Sequence, residues 1–411
     1  MSSAVTATLA LVAMLLLVAI ACLMSTRRRA ISLRTVIGAF ALQLAFGGVA
    51  LYLAPGRAAL EWLSSGVAGI IAYGQAGIDF VFGDIGRYEV GFVFAFHVLP
   101  IIIFFSSLVA VLYHLGIMGQ VIRVLGGGLR SILGTSPAES MSATANVFVS
   151  QTEAPLVIKP YIPTMTRSEL FAVMVGGMAT VAGSVLAGYV ALGVELRYLI
   201  AASFMAAPGG LLMAKLLVPE EEKTDVSERD LHLTIERSVN VFDAAASGAA
   251  NGLSLAVNIG AMLLAFVGLI ALLNGMLAWL GGLLGADYLS LEFLLGNAFR
   301  PLAFLLGVPW DEALVAGNLI GQKLVLNEFV AFGSYASDKA ELSTHAQAVV
   351  TFALCGFANF SSIAILIGGL GTLAPERRQL IARLGLRAVA GGFMANLMSA
   401  AIASFFLSLA A

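Results

Sequence analysis

The sequence predicts an all-α polytopic membrane protein with eight transmembrane helices and two opposed re-entrant hairpins. The first observation is composition: of 411 residues, 60% are hydrophobic and 11% are charged, whereas soluble globular chains carry about 25% charged residues. The second is a mean hydropathy of +0.96. The third is a pair of apolar stretches that polar residues and prolines interrupt. Such breaks are typical of helices that enter and leave a membrane on one side, because broken backbone at that depth must be buried in protein or line a cavity.

Long apolar runs define the eight predicted spans, at residues 4–24, 35–54, 90–115, 168–192, 196–218, 253–281, 345–370 and 388–409. Arginines follow the first and the seventh of these spans, and arginine-rich loops are typically cytoplasmic. We therefore expect both termini to lie outside the cytoplasm. Residues 58–82 are less apolar, so we expect them in the interface or at the periphery. Two amphipathic helices are predicted, at 117–131 and 236–251.

These elements predict five regions along the chain. Residues 1–60 hold the N-terminal transmembrane helices, 61–135 an interfacial helix and the third transmembrane helix (scaffold), 136–220 the first hairpin with helices four and five, 221–285 the amphipathic helix and helix six (scaffold), and 286–411 the second hairpin with helices seven and eight. The charged segment 219–237 is interpreted as a solvated linker.

The first hairpin is predicted at 137–163, around the sequence NVFVSQTEAPLVIKPYIP. Its apolar arm would rise only ~15 Å as a helix, about half the ~30 Å hydrocarbon thickness. Pro155 prevents simple continuation, because proline lacks an N–H and clashes with the preceding turn. The polar triplet Gln151-Thr152-Glu153 would then form a tip near the middle of the membrane, where a substrate or an ion could bind.

A second broken stretch, at 288–335, repeats this arrangement with Asn327-Glu328 as its tip. Each tip precedes a glycine- or serine-interrupted helix centre, at 180–184 and 359–362, by a similar distance. Paired broken segments in matching positions indicate an inverted-repeat transporter with a site near the membrane midplane.

Glu153 and Glu328 are carboxylates in apolar surroundings, where an ionised group is costly and therefore has a partner or a function. One interpretation pairs them with Lys159 and Lys323 as packing contacts. The other makes them acceptors for substrate hydroxyls or amides, since such charge-assisted bonds are about twice as strong as neutral ones.

The amides of Gln151 and Asn359 can each donate and accept, which suits a heterocycle, although the alternative is hydrogen bonding between helices. The side-chain carbonyl of Asn146 could ligate Na⁺, and Thr180 could add a hydroxyl unless it bonds back to its own helix. No catalytic motif of soluble enzymes is found, so we expect no enzyme activity and no cofactor other than a coupling ion. An intramembrane enzyme and a simple pore are retained as remote alternatives.

The motifs QTEAP, NEFV and FANFSSI, within a likeness that covers most of 90–405, resemble the concentrative nucleoside transporters, a family of sodium/nucleoside symporters. The resemblance implies ion-coupled nucleoside uptake across a bacterial inner membrane by a homotrimer. Its partners would be a nucleoside, membrane lipid and other copies of the chain, with no nucleic acid.

Carried over residue by residue, the resemblance implies two sets of site residues. The nucleoside would be bound by Gln151, Thr152, Glu153, Val185, Glu328, Phe357, Asn359 and Ser362. Sodium would be bound by the side chains of Asn146 and Thr180 and by the backbone carbonyls of Val149 and Val181. Ser150 departs from the family pattern, since many members have glycine there, and this leaves base selectivity open. Proton coupling through Glu153 or Glu328 is the alternative to sodium.

Overall fold

The computed structural model describes residues 1–87, 89, 91–222 and 238–410, and the regular structure within them is helical throughout, without a strand. The predicted linker at 219–237 lies mostly outside the described residues. The α-helices are α1 (Ser3–Leu23), α2 (Leu33–Leu51), α3 (Ala54–Phe82), α4 (Phe94–His97), α5 (Leu99–His114), α6 (Ile117–Leu133), α7 (Pro137–Ala145), α8 (Arg167–Ala179), α9 (Gly183–Ala191), α10 (Leu196–Leu217), α11 (Val241–Leu284), α12 (Leu291–Leu305), α13 (Ala313–Val325), α14 (Glu328–Asp338), α15 (Thr344–Leu354), α16 (Ser361–Leu373) and α17 (Arg378–Ala410).

The core is formed by α8, α10, α15 and the C-terminal half of α17. These helices are apolar around most of their circumference, as expected for helices that are surrounded by other helices. By contrast, α3 and α11 lie at the edge of the helical core and expose large apolar side chains such as Phe80, Leu264 and Trp279. An all-helical fold is therefore confirmed for the described residues.

Eight helical segments in the described residues are long and apolar enough to cross a membrane. Seven of them overlap spans that we predicted from the sequence. The segment Ala54–Ile85 is included, although its residues 58–82 were predicted to be interfacial or peripheral. The predicted span 345–370 is divided between two shorter helices, since α15 ends at Leu354 and α16 begins at Ser361, and its crossing of the membrane stays a prediction.

Two further predictions of helix ends were wrong. From residue 241 onward, the predicted amphipathic helix at 236–251 continues into span six as a single helix, α11, of 44 residues. The basic segment that was predicted to be a loop before span eight is largely the first part of α17. The physical reason is the same in both cases, since no proline separates the polar part from the apolar part and the helical period continues across the change in polarity.

Four interruptions position the candidate site. The first follows α7, where residues 146–153 turn and a 3₁₀ segment, Ala154–Thr164, carries the three prolines. The second separates α8 from α9 at Thr180, and the third separates α15 from α16 at residues 355–360. The fourth lies between α13 and α14, where Asn327 caps α14 by accepting a hydrogen bond from the Val330 N–H at 2.9 Å.

Candidate functional site

A continuous series of hydrogen bonds joins polar side chains from several of these interruptions. Tyr189 on α9 donates to Glu328 Oε1 at 3.3 Å, and Asn359 Nδ2 donates to Glu328 Oε2 at 3.2 Å. Asn359 Oδ1 accepts from the Ser362 N–H at 2.9 Å. Gln151 Nε2 then donates to Ser362 Oγ at 3.4 Å. The series, which we call the polar network, thus connects α9, α14, the α15–α16 interruption and the tip after α7.

Glu328 provides the buried carboxyl group of the polar network, with 4% of its surface exposed. It is the first residue of α14, where the positive end of the helix dipole favours a negative charge. Lys323 does not form an ion pair with it, because its ammonium donates to Asn396 Oδ1 at 2.7 Å instead. The interpretation of Glu328 as half of a lysine pair is therefore wrong, and the carboxylate is held by neutral donors.

Gln151 retains an unused acceptor within the polar network. Its Oε1 atom is buried and has no hydrogen-bond partner, although its Nε2 atom is bonded. A buried, unpaired amide oxygen is costly. Gly177 on α8 makes room for this side chain, since a Cβ there would come within 2.8 Å of Gln151 Cβ. The arrangement can accept a hydrogen bond from an N–H or O–H group of a ligand.

Glu153 lies outside the polar network. Its Oε2 atom accepts from the Ser150 N–H at 3.0 Å and from Ser150 Oγ at 2.9 Å. The side chain is exposed and borders a cavity of about 250 Å³ that Tyr113 of α5 and Asn251 of α11 also line. Glu153 therefore faces a different space from Glu328 in this structure.

The remaining predicted nucleoside residues lie around the polar network. Val185 is buried on α9, one turn before Tyr189 and on the same face. Phe357 is half-buried, and its N–H donates to the carbonyl of Thr180 at 3.1 Å. The Thr152 methyl lies against Gly369 of α16, where a Cβ would meet it at 3.0 Å.

Asn146 and Thr180 are both buried. Asn146 Nδ2 donates to the Ser142 carbonyl at 3.0 Å, whereas its Oδ1 atom is buried without a partner. Thr180 Oγ1 donates to the Gly176 carbonyl at 3.0 Å, so the hydroxyl bonds back to its own helix. Its oxygen lone pairs remain available, because a hydroxyl accepts as well as donates.

The segments that carry these two residues are in direct contact. The Gly183 N–H donates to the Phe148 carbonyl at 3.0 Å, and a Cβ at Gly183 would meet that carbonyl oxygen at 2.7 Å. Val149 and Val181 lie on these same two segments. An orphaned amide oxygen, a hydroxyl and backbone carbonyls make an all-oxygen donor set, which suits a hard cation.

Sequence reasoning missed Tyr189, Lys323 in its observed role, and Asn396. The hydroxyl of Tyr189 contacts Glu328, and Asn396 bonds to Lys323. The available signal was weak, since each is a single polar group within an apolar helix. Such residues inside a membrane segment warrant attention by default, and Asn396 in α17 met that criterion.

Comparison with known protein families decides the class of this chain. Residues 198–404 match the family described as Na⁺ dependent nucleoside transporter C-terminus. Residues 12–85 match the corresponding N-terminus, and residues 95–195 match a family described as Nucleoside recognition. The chain belongs to the Na⁺ dependent nucleoside transporter family. The predicted resemblance is thereby confirmed.

Members of this family resemble the chain over nearly its whole length. Nucleoside permease NupC of Helicobacter pylori is 52% identical, over 97% of this chain and 97% of that protein. An uncharacterized transporter of Haemophilus influenzae is 56% identical, again over 97% of each. Sodium/nucleoside cotransporter 1 of Mus musculus is 42% identical, over 92% of this chain and 60% of the mouse protein.

Solved structures of the same family share the fold. CNTnw in an inward-facing substrate-bound state is 55% identical, with a TM-score of 0.94 over 98% of each chain. A CNTnw variant in an outward-facing state gives a TM-score of 0.96 at 54% identity, over 99% of this chain and 100% of that one. The family consists of transporters and permeases, so the alternative of an intramembrane enzyme is set aside. The apolar helices make the chain a multi-pass membrane protein.

Proposed function

We propose that this protein is a Na⁺-coupled symporter that imports nucleosides across a bacterial inner membrane by alternating access. The observation that carries the proposal is the polar network, in which a buried carboxyl group, amides and hydroxyls from separate chain interruptions converge. Polar groups that fix the orientation of a ligand, placed beside an aromatic surface, are the usual composition of a small-molecule site. Family membership and the similarity to a nucleoside permease support the choice of nucleosides.

In this proposal Glu328, Asn359 and Ser362 bind the ribose hydroxyls. A carboxylate accepts hydrogen bonds from the two hydroxyls of a diol, and an amide can both accept from them and donate to them. Gln151, Thr152 and Val185 face the base, and Phe357 packs beside the sugar and the base. The unpaired Gln151 Oε1 supports a base contact.

We further propose that Glu153 joins the base side only in part of the transport cycle. Its exposure and its place at the cavity beside α5 and α11 support this assignment. Movement of the tip relative to these two helices would change which space the carboxylate faces. The solved relatives in inward-facing and outward-facing states are consistent with such movement.

For sodium we propose the side chains of Asn146 and Thr180 and the backbone carbonyls of Val149 and Val181. The unpaired Asn146 Oδ1 supports this choice, since a bound cation would satisfy an otherwise costly buried oxygen. Gln151 is also close to this region, because Gly177 neighbours both Gln151 and Asn146. Binding of the ion would therefore order the tip that faces the base.

The remaining architecture is also part of the proposal. The interruptions after α7 and between α13 and α14 would be the tips of two opposed re-entrant hairpins, both chain termini would face outside, and the five predicted regions would divide into hairpin-bearing and scaffold parts. A homotrimer would cover the apolar side chains that α11 exposes, such as Leu264 and Val267.

Proton coupling is the second candidate, and one observation favours it. Glu328 is a buried carboxylate that the described residues hold without an ion pair. A buried carboxyl group of this kind could carry a proton together with the substrate.

Uptake by proteoliposomes separates the two candidates. We expect an inward Na⁺ gradient to drive accumulation of [³H]uridine that is recovered unmodified, and an inward H⁺ gradient without Na⁺ to drive none. Accumulation under the H⁺ gradient alone would favour the second candidate. Competition by the common nucleosides in the same assay would define the base preference.

A further inference from the structure

The interruption between α8 and α9 and the interruption between α15 and α16 are joined to each other. The Phe357 N–H donates to the Thr180 carbonyl at 3.1 Å. Asn396 Nδ2 on α17 donates to the Ala179 carbonyl at 2.7 Å and to the Cys355 carbonyl at 2.9 Å. One asparagine therefore bonds to the last turn of both interrupted helices, whose carbonyls have no partner within their own helix.

Lys323 on α13 completes this arrangement. Its ammonium donates to Asn396 Oδ1 at 2.7 Å and lies 5.1 Å from the centre of the Phe393 ring, which is close enough for a cation–π contact. The side chain has 0% of its surface exposed. A buried cation is costly unless it is compensated, and the negative ends of α8 and α15 lie just beyond Asn396. We call Lys323, Asn396 and the carbonyls of Ala179, Thr180 and Cys355 the junction.

Little space separates the parts of the junction. A Cβ at Gly356 would lie 2.3 Å from Asn396 Oδ1, and a Cβ at Gly392 would lie 2.7 Å from Met178 Cβ. Glycines at these two positions let α17 approach both interruptions. The asparagine can therefore reach both carbonyls without displacing either backbone.

We propose that Lys323 and Asn396 are positioning residues that couple the ion site to the nucleoside site. The junction holds the carbonyls of Ala179, immediately before Thr180, and of Cys355, two positions before Phe357. It therefore fixes the position of the backbone that carries Thr180 and Asn359. Displacement of one interruption would be transmitted to the other through a single side chain. This inference rests on the proposed function for the identity of the two ligands, whereas the junction itself stands on the contacts described.

The test uses Lys323→Met and Asn396→Asp in the full-length chain. The methionine keeps the length of the side chain and removes the donor. The aspartate keeps an acceptor for Lys323 and removes both donors to the carbonyls. Gln43→Met is the matched control, because Gln43 is fully buried and donates to Ser399 Oγ at 2.9 Å, on the same helix as Asn396 but away from the interruptions.

The first readout is hydrogen–deuterium exchange of the purified protein without Na⁺ or nucleoside. We expect faster exchange in both 179–183 and 355–360 in each junction variant, and unchanged exchange there in the control. Unchanged exchange in the junction variants, or faster exchange in only one of the two segments, would overturn the proposal. If neither variant folds, exchange of the Phe357 amide in the wild-type protein is the test. We expect this amide to exchange slowly, because it donates to the Thr180 carbonyl, and fast exchange would overturn the proposal.

The second readout is uptake in proteoliposomes. We expect Lys323→Met to raise both the Na⁺ concentration for half-maximal uptake and the KM for uridine, by about tenfold each, which corresponds to about 1.4 kcal/mol. The control should change neither, even where its melting temperature falls equally. A variant that loses stability while both constants stay at the wild-type values would show a merely structural role and would overturn the coupling. Absence of Na⁺-driven uptake in the wild type would instead contradict the proposed function and leave the exchange result to judge the junction.

Discussion

At the scale of single residues, the sequence identified most of the polar groups but not their partners. Gln151, Glu328, Asn359 and Ser362 were predicted from motifs, and the structure places them in one hydrogen-bonded series. Their partners depend on helices that are distant in the chain. Tyr189 donates to Glu328, which lies 139 positions further along the chain. Lys323 donates to Asn396, 73 positions away, instead of pairing with Glu328. Local pattern carries no information on contacts of that kind.

The ribose assignment is tested at Glu328. We expect the wild type to prefer uridine over 2′,3′-dideoxyuridine and Glu328→Gln to lose about tenfold or more of that preference, since a hydrogen bond to a charged group contributes about 1.5–3 kcal/mol. Competition against [³H]uridine binding measures it. Glu153→Gln is the control and should keep the preference, because Glu153 faces the cavity beside α5 and α11. An undiminished preference in Glu328→Gln would refute the assignment.

Tyr189 tests whether the carboxylate is oriented by its neighbours. Tyr189→Phe removes the donor to Glu328 Oε1 and leaves the ring in place. We expect the KM for uridine to rise about threefold to tenfold, in line with the net contribution of about 0.5–1.5 kcal/mol from a typical hydrogen bond. Tyr52→Phe is the control, because that ring packs on Phe406 and is far from the polar network in the chain's fold. Equal KM values for uridine in the two variants would show that Tyr189 does not orient Glu328 for substrate binding.

At the scale of elements, helix interruptions were more predictable than helix ends. Prolines at 155, 160 and 163 and the Thr180–Ser184 sequence marked two interruptions in advance. The ends of α11 and α17 were misjudged, because polarity changes along a helix do not stop it unless a residue breaks the backbone pattern. Polarity locates a helix relative to its surroundings, whereas backbone chemistry determines where the helix ends.

The proposed Na⁺ site lies where the tip after α7 contacts the α8–α9 interruption. Thr180→Val should raise the Na⁺ concentration for half-maximal uptake by about tenfold, because the variant keeps the shape and removes one oxygen ligand. Thr144→Val is the matched control, since Thr144 is also buried and bonds back to the Ser140 carbonyl at 2.8 Å. Equal Na⁺ dependence in the two variants would exclude Thr180 as a ligand.

An ion pair fixes the base of the first broken element. Lys215 on α10 pairs with Glu139 of α7 and donates to Ser168 Oγ of α8 at 2.9 Å. The paired side chains of Lys215 and Glu139 are only 7% and 1% exposed. Removal of one partner of such a pair typically costs about 3–5 kcal/mol, because the other charge is left buried.

We therefore expect Lys215→Met to lower the melting temperature strongly. Arg27→Met is the control, as it breaks the pair with Glu221, whose side chains are 65% and 39% exposed, and exposed pairs contribute only about 0–1 kcal/mol. Thermal unfolding in detergent measures both variants. Equal shifts in the two variants would show that the pair does not hold the base of α7.

At the scale of the whole molecule, composition alone predicted a helical membrane protein, and the family was recognisable from short motifs. Which apolar segments span the membrane was less predictable. The structure adds α3 to the helices that are long and apolar enough to cross, and it divides the predicted span 345–370 between α15 and α16. Length and hydropathy do not distinguish a peripheral helix from a spanning one when both are apolar.

The central claim is that one site region binds Na⁺ and a nucleoside together. The most direct test is uridine binding to the purified wild-type protein, by calorimetry, across Na⁺ concentrations with choline as the replacing cation. We expect Na⁺ to tighten uridine binding by about tenfold or more, and uridine to tighten Na⁺ binding by the same factor, since the coupling of two binding sites is reciprocal. Equal uridine affinity in Na⁺ and in choline would contradict the account.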